Sequence, residues 1–211
     1  MQERAKISRR QILQGAADRF EVTGYGSTSM NDIVSAARMT KGAVYFHFSS
    51  KDELAQAVME EQHQISISAF SAVAATGAPA LEQLVMVCHE MGRQLVADSI
   101  VRAGVRLNLE LASVDGSQGP YLAWIRDLRK LAETAKLEGD IREDVEPESV
   151  GRVVISAFTG VQLVSNVLTR RSDLNDRIDE LFSLLLAGVV SDKRRTEVAD
   201  LVGCRLETYA S

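Results

Sequence analysis

Apolar positions recur three and four residues apart through almost the whole chain, a spacing that predicts helices and no sheet. Ile12, Leu13, Ala16, Ala17 and Phe20 make the stripe of a first helix starting near Ile7. Gly24 closes it, as a residue free to take φ > 0 just past a helix end should. Ser29 is a good N-cap for a short helix from Met30 to about Ala37, and Thr40 for another running to about Phe48. Ser50 caps a fourth, with Glu53 placed to complete a capping box. That helix extends to about Ala75, where Thr76 to Pro79 (TGAP) breaks it.

Longer helices follow over Pro79 to Asp98, Ile100 to Ser113, Pro120 to Glu138, Pro147 to Arg171, Asp173 to Ser191 and Asp192 to Tyr209. DGSQGP, Asp115 to Pro120, reads as a turn that ends with proline at a helix start. EGDIREDVEP, Glu138 to Pro147, reads as a polar connection. The expected fold is all-α: an N-terminal three-helix head with a helix-turn-helix over residues 1–50, and a larger C-terminal helical domain over 51–211.

At 211 residues and 45% apolar, the chain can bury a sizeable core. Its two cysteines, Cys88 and Cys204, lie far apart and imply no disulfide framework. The start, MQERAKISRRQIL, has no signal-peptide apolar run, and the unbroken apolar stretches, such as Leu184 to Val190, are short. A cytoplasmic protein that does not enter a membrane is expected. The net charge of −5 is unevenly spread. Residues 1–50 carry seven basic and four acidic side chains, and residues 51–211 seventeen and twenty-five. A basic head on an acidic body suggests that the head meets an anion.

The third helix shows how. In TKGAVYFHF, Val44 and Phe48 share a face and can pack with Ile33 and Val34, leaving Lys41, Tyr45, Phe46 and His47 outward. Ammonium, hydroxyl and imidazole are donors suited to phosphate, and Gly42 lets the backbone approach a groove wall. Thr40 brings a hydroxyl to the positive helix end. Phe46 admits two readings, an apolar contact to a sugar or thymine methyl, or packing against the body. TKGAVYFHFSSKDEL and the preceding GYGSTSMNDIVSAA resemble the helix-turn-helix signature of the TetR family of one-component repressors, over about residues 7–55. The resemblance implies a dimeric repressor that contacts a double-stranded DNA operator through Ser29, Thr40, Lys41, Gly42, Tyr45, His47 and Lys51, and Phe46 in addition. It also exposes a departure: Arg38 stands where the family usually has glycine in the turn. Arg38 is either strained there or a phosphate contact.

In the body, Trp124 precedes Leu128 and Leu131 at helical spacing and points inward, as core or as a ligand wall. Ser156, Thr159 and Gln162 make a buried polar stripe in an apolar helix, which needs partners: other helices, water or a ligand. The head, YLAWIRDL and AFTGVQLVSNVL together resemble the γ-butyrolactone receptor subfamily of actinomycetes, which represses antibiotic-biosynthesis and differentiation genes until a small lactone or furan binds. This implies an apolar pocket walled by Trp124, with Gln64, Thr159 and Gln162 as polar candidates and Val87, Cys88 and Leu107 as further lining. It also implies a homodimer seam on the last long helices, where Leu181 to Val190 is apolar nearly all round and Gly160, Val164 and Leu168 could join it. The alternative for that run is a buried helix of the monomer. The alternative functions are a TetR-type repressor of an efflux or detoxification gene and a pseudo-receptor sensing an antibiotic. No catalytic signature, cofactor or metal is expected. His47, His63 and His89 are scattered, and Glu60 with His63 and Cys88 with His89 lack the second well-spaced pair a metal site needs.

Overall fold

The computed structural model describes residues 2–115 and 119–209. Its helices are α1 (Gln2–Ser27), α2 (Met30–Ala36), α3 (Lys41–His47), α4 (Lys51–Ala75), α5 (Ala80–Ala97), α6 (Ser99–Asp115), α7 (Gly119–Leu137), α8 (Pro147–Thr169) and α9 (Leu174–Val189). A 3-10 turn (Asp192–Glu197), α10 (Val198–Val202) and α11 (Leu206–Tyr209) complete it. Among the described residues β-pairing is confined to one antiparallel bridge, Ile141 with Val190. The predicted turn at Asp115 to Pro120 falls in part on 116–118, outside the described residues.

The chain forms two compact units, Met1–Ser66 with Ala97–Gln118, and Ile67–Val96 with Gly119–Ser211. Packing thus groups α6 and the first part of α4 with the head. In the first unit, Ile12, Ala16 and Phe20 of α1 share one core with Ile33, Val44, Phe48, Leu54 and Val58, and with Ile100, Ala103 and Leu107 of α6. Gly15 allows α1 to reach the end of α2, since a Cβ there would lie 2.6 Å from the Ala37 nitrogen. Gly24, at φ 75, breaks α1 as expected. The carbonyls stranded by that break are met by α6: Arg106 Nη1 donates to Glu21 O at 2.7 Å and Val22 O at 3.3 Å. The Tyr25 N–H donates to Glu110 Oε2 at 2.7 Å. Arg102 pairs with Glu21 at 2.6 Å, so α6 holds α1 by ions as well as by core.

The helix-turn-helix follows its sequence signals closely. Ser29 caps α2 reciprocally: its hydroxyl accepts from Asp32 N at 3.2 Å, and Asp32 accepts from Ser29 N at 2.8 Å. α2 ends in a Schellman turn, with Arg38 N donating to Ser35 O at 3.1 Å and Met39 N to Val34 O at 3.3 Å. That turn holds Arg38 at φ 53, which costs roughly 1 kcal/mol for a residue with a Cβ. Thr40 Oγ1 accepts from Ala43 N at 3.2 Å to start α3. At α4 the expected box is shifted. Ser50 Oγ accepts from Glu53 N at 3.1 Å, but the Glu53 carboxylate takes the Ser49 N–H and hydroxyl, each at 2.8 Å, because Ser49 offers two donors to one oxygen.

In the second unit α5 is buried nearly all round, α8 packs on α7 and α9, and α9 meets α10. The expected continuous helix from Asp192 to Tyr209 is broken into short pieces. Arg194, in its first turn, is ion-paired with Glu82 Oε1 at 2.5 Å, Asp140 Oδ2 at 3.1 Å and Glu197 Oε2 at 2.9 Å. Arg205 donates to the Val202 and Cys204 carbonyls at 2.7 and 3.2 Å and to Asp179 at 2.6 Å. Tertiary partners for these cations outweigh the weak helical tendency of a segment interrupted by Gly203.

Candidate functional site

The seven residues of α3 separate into an inward and an outward set. Val44 is fully buried, and Phe48, its C-cap, is 2% exposed with the Arg9 guanidinium 5.2 Å from its ring centroid. Phe46, two residues earlier, is 82% exposed. Lys41, Gly42 and Tyr45 are exposed and His47 is half-buried. Lys41 Nζ lies 5.7 Å from the Tyr45 ring centroid, and Phe46 meets His47 edge-on at 5.2 Å. The outward set is therefore a contiguous strip of donors with one free aromatic ring. Ser29 and Thr40 are exposed, with their hydroxyls engaged as caps. Lys51 is turned inward: Nζ donates to Tyr25 O at 2.9 Å and sits 4.2 Å from the Tyr25 ring centroid. One of its three ammonium protons is thereby used. The Tyr25 hydroxyl bonds Asp52, which together with burial raises its phenol to about 12.

The expected ligand residues are distributed over both units. Gln64 is exposed, its amide donating to Glu60 at 2.7 Å. The buried amide of α4 is Gln62, which donates to Ser66 at 2.8 Å and accepts from Asn108 at 3.3 Å. Helical spacing could have found it, because Gln62 continues the buried row of Leu54, Val58, Ser66, Ala69 and Val73, and Gln64 does not. Leu107 is fully buried in the core that braces the head. In the second unit Val87 and Cys88 are buried on α5, and burial pushes the Cys88 thiol up to about 12. Ser156 is exposed, a correction to the buried stripe expected of it. The buried row of α8 runs through Val154, Ile155, Phe158, Gln162 and Ser165 and passes it by. Gln162 is buried and accepts from Arg171 Nη2 at 3.5 Å.

Three residues of the second unit do come together. Trp124 is buried and meets Tyr121 edge-on, ring centroids 5.1 Å apart. Burial raises the Tyr121 phenol above its ordinary value, an effect that Thr159 beside it tempers. Among the described residues nothing meets the buried Trp124 Nε1 in hydrogen-bonding geometry, and the buried Tyr121 hydroxyl has Thr159 as its neighbour. An orphaned donor such as Trp124 Nε1 is costly, on the order of 1–3 kcal/mol, unless a further molecule answers it. The sequence reading missed Tyr121, whose signal is its place one turn before Trp124.

The last long helices carry a third feature. By length and composition α8 could cross a membrane. Val153, Gly160, Leu163, Val164, Val167 and Leu168 are exposed on it. On α9, Phe182 and Leu186 turn inward, as does Val190 just past its end, while Leu184 is 81% exposed. The run from Leu181 to Val190 therefore serves the unit's own core with one face and leaves another uncovered.

Residues 12–58 match the tetR family of bacterial regulatory proteins, and residues 78–191 the tetracyclin repressor-like C-terminal domain. The chain is 33% identical over 188 residues to the A-factor receptor protein of Streptomyces griseus, covering 89% of itself and 66%, just under two thirds, of that receptor. It superposes on a crystal structure of a γ-butyrolactone receptor (ArpA-like protein) with a TM-score of 0.84 at 31% identity, over 97% of this chain and 98% of that one. CprB of Streptomyces coelicolor, a TetR family protein in complex with its biological operator sequence, matches with a TM-score of 0.79 at 30% identity over 95% and 96% of the two chains. With a helix-turn-helix head followed by a matching helical body, the chain belongs to the TetR family of bacterial transcription regulators, beside the γ-butyrolactone autoregulator receptors, and is a regulator and not an enzyme.

Proposed function

We propose that the protein is a ligand-responsive repressor in the cytoplasm. It binds a palindromic operator as a homodimer, is released by a small signalling lactone or furan of the γ-butyrolactone type, and controls antibiotic-biosynthesis or differentiation genes. The observation that carries the DNA part is the outward strip of α3, where Lys41, Gly42, Tyr45 and Phe46 are exposed around a packed Val44. Such a strip enters a major groove with its donors toward phosphate and its ring toward an apolar base edge. Two copies reading half-sites one helical turn apart require a two-fold dimer. The uncovered apolar positions of α8 and Leu184 of α9 suit the isologous seam of that dimer. The orphaned Trp124 Nε1, with the Tyr121 and Thr159 hydroxyls near it, suits the carbonyl or hydroxyl oxygen of a small, mostly apolar ligand. Residues of α4 belong to both units, so a ligand that shifts the second unit has a covalent route to the head. Coupling of this kind is typically worth about 1–3 kcal/mol.

The test is a mobility-shift titration on a duplex selected from a random pool, repeated across salt concentrations and then with synthetic γ-butyrolactones. Steeply salt-dependent, sequence-specific binding that a lactone reverses is the expected outcome. No specific binding would sink the repressor reading. Release by an antibiotic but by no lactone would sink the ligand assignment and favour an efflux repressor or pseudo-receptor.

A further inference from the structure

Arg38 occupies the C′ position of the Schellman turn that ends α2, with the Arg38 and Met39 N–H groups bonded back to Ser35 and Val34. Those bonds impose the left-handed backbone, φ 53, whatever the side chain, and glycine is the residue such a position prefers. The other left-handed non-glycine residues among the described ones are Arg170 and Arg171, at the end of α8. There the Arg171 guanidinium is put to use inside the fold, donating to Asn166 Oδ1 at 2.8 Å and Gln162 Oε1 at 3.5 Å. The side chain of Arg38 is exposed and makes no hydrogen bond or ion pair among the described residues. Two residues further on is Thr40, the cap of α3, followed by the exposed Lys41. An unsatisfied planar fork of five donors thus stands in the turn leading into the recognition helix.

We infer that Arg38 is a further operator-contacting residue, which gives its guanidinium to a backbone phosphate of the duplex that α3 reads. The inference rests on the operator-binding reading above. A phosphate is the natural partner, because the Arg fork matches its paired oxygens and such contacts set a protein's register on the duplex. The competing explanation is confined to the protein: a cation near the C-terminus of α2 favours the helix dipole. The two differ in what they make of DNA.

The experiment compares the full chain with Arg38→Gln and Arg38→Lys on a duplex selected by the wild type, measuring affinity against salt concentration and the melting midpoint of each protein. Each dimer brings two copies of Arg38. Arg38→Gln is therefore expected to make the slope of log K against log salt shallower by about two, and to weaken binding roughly tenfold to a hundredfold near 0.1 M salt. The loss should be uniform across operator variants, and Arg38→Lys should keep most of the slope. Arg38→Gly replaces Arg38→Gln if the latter melts early, since the left-handed turn accepts glycine without strain. An unchanged affinity and slope in the uncharged variant, with or without a lower melting midpoint, would overturn the inference while leaving the repressor reading intact. A wild type that shows no salt-dependent DNA binding would overturn both.

Discussion

Phe46 and Phe48 are chemically identical, two residues apart, and 82% and 2% exposed, so truncating each separates contact from packing. Phe48→Ala removes a ring from the core shared with Ile12, Phe20, Ile33 and Val44, and takes away the surface on which Arg9 rests. A buried Phe→Ala costs about 3–5 kcal/mol, lost transfer energy plus a cavity the close-packed helices cannot refill. For a chain of this size each kcal/mol lowers the melting midpoint by about 2–4 °C, so a drop of roughly 6–20 °C is expected. Phe46→Ala removes a ring already in water and should change stability by no more than about 0.5 kcal/mol. Its effect belongs to the complex. Burying that ring against a base edge is worth about 1.5–3 kcal/mol, some tenfold to more than a hundredfold in operator affinity. Circular-dichroism melts and operator titrations of both variants give the four numbers. Phe46→Ala melting as early as Phe48→Ala, or binding operator like the wild type, would refute the division of α3 into two faces.

Asp173 gives an acid-limb prediction. Hydrogen bonds from the Ser165 and Thr169 hydroxyls, and then Arg177, hold its carboxyl down at about 2 against an ordinary 3.8. A depressed folded value stabilises above the ordinary one and loses that stabilisation as pH falls through the folded one. The melting midpoint should therefore fall between about pH 4 and pH 2, and Asp173→Asn should flatten that part of the curve; an unchanged curve would show that Asp173 is not linked to folding. Tyr121→Phe deletes a buried hydroxyl with Thr159 as its neighbour, so stability should change by no more than about 1 kcal/mol while lactone release of the operator weakens. A clear fall in the melting midpoint would mean that the fold already satisfies this hydroxyl.

The head was legible because its signals are local. A cap needs only a hydroxyl and a backbone N–H three residues on, which is why Ser29 and Thr40 could be named from the sequence. The inward and outward faces of α3 follow from helical period alone, as the burial of Val44 and Phe48 and the exposure of Tyr45 and Phe46 bear out. The same period, applied more strictly, would have preferred Gln62 to Gln64 and left Ser156 outside the buried row of α8.

What the sequence by itself determined is the helical class, the caps and breaks of the head, the basic charge on that head and the residues α3 turns outward. Each depends on neighbours within one or two turns. What only the tertiary structure decided depends on partners far along the chain. Arg194, 112 residues from Glu82, breaks the last segment by binding it. Arg106 and Glu110 fill the gap at Gly24, more than 80 residues away. Lys51 is drawn inward by Tyr25, and Tyr121 is packed edge-on against Trp124 with its hydroxyl buried. Periodicity reports which face of a helix is buried. It cannot report what stands opposite, and for a charge or a buried donor the group opposite decides whether it stabilises, strains or waits for a ligand.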